Sequence, residues 1–252
     1  MRILSIMMLV ILLVSNTAIG ISEKEKPKSI SWPFDGVFGY FDKQSAQRGF
    51  QVYKEVCQAC HSLKYLEYRN LEDIGFSKEE VKAIAAESNL TDGPNEKGEM
   101  FERPARPHDK FVSPYPNEQA ARVANGGAYP PDLSLIINAR PSGADYVYSI
   151  LTGYLNLPPK NFKLTSGMHY NPYFSGRQIL MPPPLSDGLV TYSDGTEASI
   201  DQMAKDVVVF LQWTAEPEME KRKLMGIKVI LYLIGLTIIF YFAKRRIWSR
   251  VK

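Results

Sequence analysis

The sequence predicts a mostly α-helical domain with long loops, attached to one C-terminal transmembrane helix. Three observations predict this class. Apolar residues recur at helical spacing in several short segments, most of them opened by a capping residue. Residues 224–243 (LMGIKVILYLIGLTIIFYFA) are apolar apart from Lys228 and Thr237, and at about 1.5 Å per residue they span a hydrocarbon core of about 30 Å. Strand signals are confined to one small hairpin, in which residues 190–192 and 196–198 flank Ser193-Asp194-Gly195.

Taken in order, residues 1–20 have the form of a secretory signal peptide: Arg2, an apolar run from Ile3 to Val14, then polar residues and Ala18-Ile19-Gly20. The segment is neither long nor rich in Arg and Ser, so a bacterial envelope fits better than an organelle. Residues 21–44 open as a Lys-rich linker. An aromatic stretch follows (Trp32, Phe34, Phe38, Tyr40, Phe41), expected to pack irregularly on an apolar surface. Asp42 or Ser45 then caps a helix over 45–56, whose residues Phe50, Tyr53, Val56, Cys57 and Cys60 share a buried face.

That helix runs into Cys57-Gln58-Ala59-Cys60-His61, which contains the only two cysteines in 252 residues. C-x-x-C-H is the attachment signature of c-type haem: two thiols three positions apart on a helical turn each form a thioether, and the same turn aims the histidine at the iron. A zinc site would want further Cys or His ligands nearby, whereas His108 and His169 are isolated. A thioredoxin-like dithiol would want a preceding strand in a βαβ unit, and the preceding segment reads as a helix.

Residues 67–99 hold nine acidic and four basic side chains. An exposed, solvated face is the plainer reading, and a docking patch for a basic partner is the sharper one. Ser77 and Glu80 form a capping box for a helix over 78–87, ended by Thr91-Asp92-Gly93-Pro94. Four prolines make residues 103–116 an extended loop, with His108 at the surface. Asn117 caps a short helix (EQAARVA) that stops at Asn125-Gly126-Gly127. A helix over 143–154, a loop over 155–176 and an amphipathic helix from Ile200 to Trp213 capped by Ser199 follow; Pro217 separates the last from the membrane span.

Directly after the span come Lys244, Arg245, Arg246, Arg250 and Lys252, so the positive-inside bias puts residues 244–252 in the cytoplasm and residues 21–223 on the periplasmic side of the inner membrane. The chain totals +3. Setting aside these five cations and Arg2 leaves residues 21–243 at −3, which offers nucleic acid no basic stripe.

His61 supplies one axial ligand. For the second, residue reasoning narrows to Met168, His169 and Met181, and the three prolines after Met181 favour it by stiffening its backbone. Arg140 is the best-placed lone cation for a haem propionate, with Tyr146 nearby.

The residues resemble the cytochrome c1 family over nearly the whole mature chain: Trp32-Pro33-Phe34, Val56 to Ser62, Asn125 to Ser134, Asp145-Tyr146-Val147, Tyr170 to Phe174, Met181 before Pro183-Pro184, and Trp213 to Glu218. The resemblance implies the class I cytochrome c fold enlarged by loops, and one covalent haem c. It implies axial ligation by His61 and Met181 and propionate contacts at Arg140 and Tyr146. Further haem contacts are implied at Asn125, Pro130 and Pro131. It also implies a place in the ubiquinol:cytochrome c oxidoreductase complex, beside cytochrome b in a dimeric assembly, accepting single electrons from a Rieske iron-sulfur protein and passing them to cytochrome c. No bond is made by such a subunit itself. Many relatives have alanine where this chain has Pro182. Two other readings stand beside this one: an independent membrane-anchored c-type cytochrome, and a haem-free thiol oxidoreductase using Cys57 and Cys60.

Overall fold

The computed structural model describes residues 24–251, so the expected signal peptide and Lys252 lie outside the described residues. The helices are α1 (Lys43–Val52), α2 (Lys78–Ala86), α3 (Glu118–Ala124), α4 (Gly143–Thr152), α5 (Ile200–Ala215) and α6 (Met219–Trp248). A π-turn over Tyr53–Cys57 continues α1, and 3₁₀ turns occupy Tyr68–Ile74 and Ser175–Arg177. Two small antiparallel pairs complete the described chain: β1 (Asn89–Asp92) with β2 (Phe101–Pro104), and β3 (His169–Tyr170) with β4 (Gln178–Ile179). The fold is mostly helical, as expected.

The core forms where α1 crosses α5. Ala46, Gly49, Phe50 and Val52 of α1 are buried, as are Met203, Val207, Val208, Phe210 and Trp213 of α5. The backbones come so close that a Cβ on Gly49 would lie 2.0 Å from the Asp206 carbonyl oxygen, so only glycine fits there. Phe50 and Tyr53 pack on Phe210 with ring centroids 5.7 and 5.8 Å away, and Phe111 closes the other side against Tyr53 and Tyr68. Arg48 crosses the same junction, donating from Nε and Nη2 to Asp206 and from Nη1 to Asp194.

The caps act as the sequence indicated. Ser77 and Glu80 close a reciprocal capping box, Asn117 Oδ1 accepts from Ala120 N at 2.9 Å, and Ser199 Oγ accepts from Gln202 N at 3.2 Å. Three expectations need correcting. The first helix starts at Lys43, capped by Asp42, and becomes a π-turn from Tyr53. The acidic stretch contains a strand, β1, held to β2 by Arg103, which pairs with Asp92 and donates to Asp109 at 2.6 and 2.9 Å. Residues 190–198 form no strand pair: Asp194 accepts from Thr196 N at 2.9 Å within the turn and from Arg48 of α1, so the turn docks on α1 and its flanks do not pair with each other.

Among the described residues, one helix, α6, is long and apolar enough to cross a membrane. It follows α5 after a joint of three residues, at Pro217, where Met219 N donates to Glu216 O and Arg222 pairs with Glu216 at 2.8 Å.

Candidate functional site

The centre of the site is the turn that ends α1. Gln58 N donates to Tyr53 O at 2.8 Å, the five-residue reach of the π-turn, and the N–H groups of Cys60 and His61 both donate to Cys57 O at 3.1 and 2.9 Å. Cys57, Cys60 and His61 thus leave one closed turn. Tyr53, fully buried beneath it, donates its hydroxyl to His61 O at 3.0 Å.

His61 is oriented from the opposite side by the segment after α3. Its Nδ1 lies 2.8 Å from Pro131 O; a carbonyl only accepts, so Nδ1 carries the proton and Nε2 is left with its lone pair. Burial lowers the imidazole pKa, opposed by the Pro131 bond and by the charge of Asp132, which keeps the ring neutral near pH 7.

Asp132 fixes the carbonyl's position. Its Oδ2 accepts from Ser62 Oγ and Lys64 N, both at 2.8 Å, and its Oδ1 accepts from Ser134 N at 2.9 Å. Leu133 N donates to Ser62 O at 2.9 Å, and Tyr65 N donates to Ser134 Oγ at 3.1 Å. Residues 131–134 and 61–65 therefore form one stapled unit. The sequence reading missed Asp132, Ser134 and Tyr53 as site residues; the run Pro130-Pro131-Asp132-Leu133-Ser134, with an acid among rigid and apolar residues, was the available signal.

The thiols do not resemble a redox pair. Burial, with a smaller contribution from Cys60, pushes the Cys57 thiol up to about 12, whereas a C-x-x-C nucleophile needs a depressed pKa. Among the described residues, no three His, Cys, Asp or Glu side chains are grouped to hold a metal ion. The donor set instead fits a haem: two half-buried thiols on a single turn, beside a neutral imidazole whose free nitrogen is fixed by the protonation of the other.

The remaining candidates fall in separate places. Met181 follows β4 and is half-buried; its carbonyl accepts from Tyr154 Oη at 3.0 Å, tying the Pro182-Pro183-Pro184 loop to the end of α4. Burial raises the Tyr154 pKa, so this donor stays protonated. The pairing of His169 with Ile179 sets Met168 and His169 within a few residues of Met181 across the β3–β4 pair. Arg140 is exposed before α4, and its charge opposes the upward shift that burial gives the half-buried Tyr146. An open cleft of about 700 Å³ lies beside Arg140, walled by Trp32, Phe34, Gln212 and Met219. Asn125 is engaged as the C-cap of α3, its Nδ2 donating to Ala121 O at 2.7 Å. Pro130 is half-buried next to the Pro131 carbonyl. His108 is exposed, 3.8 Å from Asp109.

Several acids in residues 67–99 already have partners: Asp92 with Arg103, Glu67 with Arg69, Glu87 with Lys54, and Glu80 in its capping box. This favours the solvated-surface reading of the stretch.

Residues 32–251 match the family described as the Cytochrome C1 family. The chain is 47% identical over 236 residues to cytochrome c1 of Rhodospirillum rubrum, covering 88% of this chain and 87% of that one. It is 48% identical over 226 residues to the mitochondrial cytochrome b-c1 complex catalytic subunit of Candida albicans, covering 90% and 78%. A protein of Bradyrhizobium diazoefficiens named cytochrome b/c1 is 48% identical over 246 residues, covering 89% of this chain and 36% of that longer one.

Proposed function

The chain belongs to the cytochrome c1 family, and from that premise we propose how its residues hold the haem and which partners they serve. As a cytochrome c1 it is a membrane-anchored electron-transfer protein carrying covalent haem c, the haem subunit of the cytochrome bc1 complex, with cytochrome b as a partner. When bound, haem c supplies a one-electron ferric/ferrous couple. Cys57 and Cys60 would hold it through thioethers, and His61 Nε2 and the Met181 sulfur would supply donors to its iron. Arg140 and Tyr146 would serve its propionates, and Asn125, Pro130 and Pro131 would border it.

The observation that carries this reading is the orientation of His61. The Pro131 carbonyl takes the Nδ1 proton, so the imidazole can donate only through Nε2, and the carbonyl makes that donor more basic. Tyr53 and Asp132 hold the two sides of this arrangement. Met181 contributes a neutral, soft donor, which favours the reduced state relative to a second imidazole. With both donors in place the iron would have no open position for bond chemistry, which suits an electron relay.

Electrons enter from a Rieske iron-sulfur protein and leave to cytochrome c, within a dimeric complex. The haem domain lies on the periplasmic side of a bacterial inner membrane and the basic end of α6 in the cytoplasm, a sidedness supported by Lys244, Arg245 and Arg246 in its last turns. The test is a visible spectrum of the denatured protein. Pyridine should give the haemochrome band of a porphyrin with both vinyl groups saturated, and acid-acetone should extract no pigment. Extractable haem, or a band of unsaturated haem, overturns the attachment.

A further inference from the structure

Residues 32–41 form a loop that is closed at its base and apolar at its tip. Tyr40 N donates to Pro33 O at 3.0 Å and Asp35 Oδ2 accepts from Trp32 N at 2.9 Å, closing the base. Phe34 stacks on Trp32 at 5.4 Å and both are buried. A Cβ on Gly39 would lie 2.2 Å from Phe34 O, so the two arms touch backbone to backbone. The tip is the reverse: Val37 is 62% exposed, Phe38 86% and Tyr40 60%. Scattered apolar residues at a surface are ordinary, but a rigid loop that presents three together marks a contact.

The direction of the tip is set by α6. Phe41 N donates to Glu220 Oε1 at 2.5 Å, and one turn further along the helix Lys223 Nζ donates to Phe34 O at 2.7 Å and to Gly39 O at 3.4 Å. These bonds hold the loop against the first turns of α6, directly before Leu224, where the apolar span begins. Trp and Tyr gather at this depth of a bilayer because the ring is apolar and its edge or hydroxyl is polar, and Phe38 and Tyr40 make a similar combination.

We propose that Val37, Phe38 and Tyr40 form a second membrane contact, seated in the headgroup and upper acyl region of the leaflet on the haem-domain side. The occupant is lipid, since the loop that carries the tip is bonded to Glu220 and Lys223, immediately before the apolar span of the anchor helix. The loop and α6 then grip the bilayer at two points and fix the tilt of the haem domain over it.

The test uses the full-length, haem-loaded chain in phosphatidylcholine vesicles, with a nitroxide on Phe38→Cys. Phe38 is exposed and makes no core contact, and thioether-bound Cys57 and Cys60 leave the new thiol as the labelling site; absence of label on the parent chain checks this. Val123→Cys on α3, 86% exposed, reports water, and Ile234→Cys in the span reports the bilayer interior. With the haem ferrous, electron spin resonance compares collisions with oxygen, which concentrates in lipid, against those with an aqueous nickel chelate. The Phe38 label should show an oxygen-to-nickel ratio well above that at Val123 and below that at Ile234. A ratio equal to that at Val123 overturns the proposal while a high value at Ile234 leaves the anchor intact. Protection from both reagents overturns it in favour of a protein contact.

Discussion

Removing either member of the Arg48–Asp206 pair should not have the same effect. Arg48 is 14% exposed and Asp206 1%. Arg48→Ala strands a carboxylate inside the α1–α5 junction with only neutral side chains beside it, Gln202 Nε2 at 3.1 Å and the Tyr192 hydroxyl. Breaking a buried pair in this way costs about 3–5 kcal/mol. Asp206→Ala leaves a guanidinium that still pairs with Asp194 at 2.8 Å and can turn toward water, so about 1–3 kcal/mol is expected. The gap of about 2 kcal/mol is roughly a 30-fold difference in the unfolding constant, or about 0.5 M in midpoint for a guanidinium slope of about 4 kcal/mol/M. Guanidinium titrations of the full-length protein in detergent, followed by tryptophan fluorescence, measure this. Equal midpoints, or a greater loss for Asp206→Ala, would refute the argument that burial of the stranded charge decides the cost.

Further outcomes follow from the site. Met181→Leu should lower the midpoint potential sharply and halt turnover of the complex, as read by redox titration; an unchanged potential rules out Met181 as the ligand. Asp132→Ala removes three hydrogen bonds from the unit that holds Pro131 O on His61, so the potential should shift and thermal stability fall, whereas Asp132→Asn, which keeps an acceptor, should recover much of both. Asp109 is held at about 2, below its ordinary value, first by hydrogen bonding to Arg103. A depressed carboxyl stabilises the folded state above its unfolded pKa and loses that contribution as pH falls through the folded value. Protection of the β1 and β2 amides, corrected for the intrinsic exchange rate, should therefore fall between about pH 4 and pH 2, and Asp109→Asn should weaken that pH dependence, leaving the share carried by Asp92 through Arg103.

Local chemistry made much of the fold legible. The Ser77–Glu80 box, the Asn117 and Ser199 caps and the apolar span each depend on residues within a few positions, and each formed where expected. What escaped depended on distant partners. The turn at 193–195 looked like a hairpin because its flanks alternate, but Arg48, 146 residues away, takes the Asp194 carboxylate. The β1–β2 pair has only Thr91 and Phe101 as strand-favouring residues, and it is held by Arg103. At the site, the attachment motif could be read directly, yet the orientation of its histidine comes from Pro131 and Asp132, some 70 residues on. No spacing rule links those segments.

The joint between α5 and α6 has a mechanical meaning. From the attachment turn through α1, across the Gly49 contact to α5, and over three braced residues into the anchor, no long loop interrupts the path of contacts. A redox centre on such a mount keeps a nearly constant height and attitude above the lipid, so the searching motion in each electron hand-over falls to the donors and acceptors that visit it.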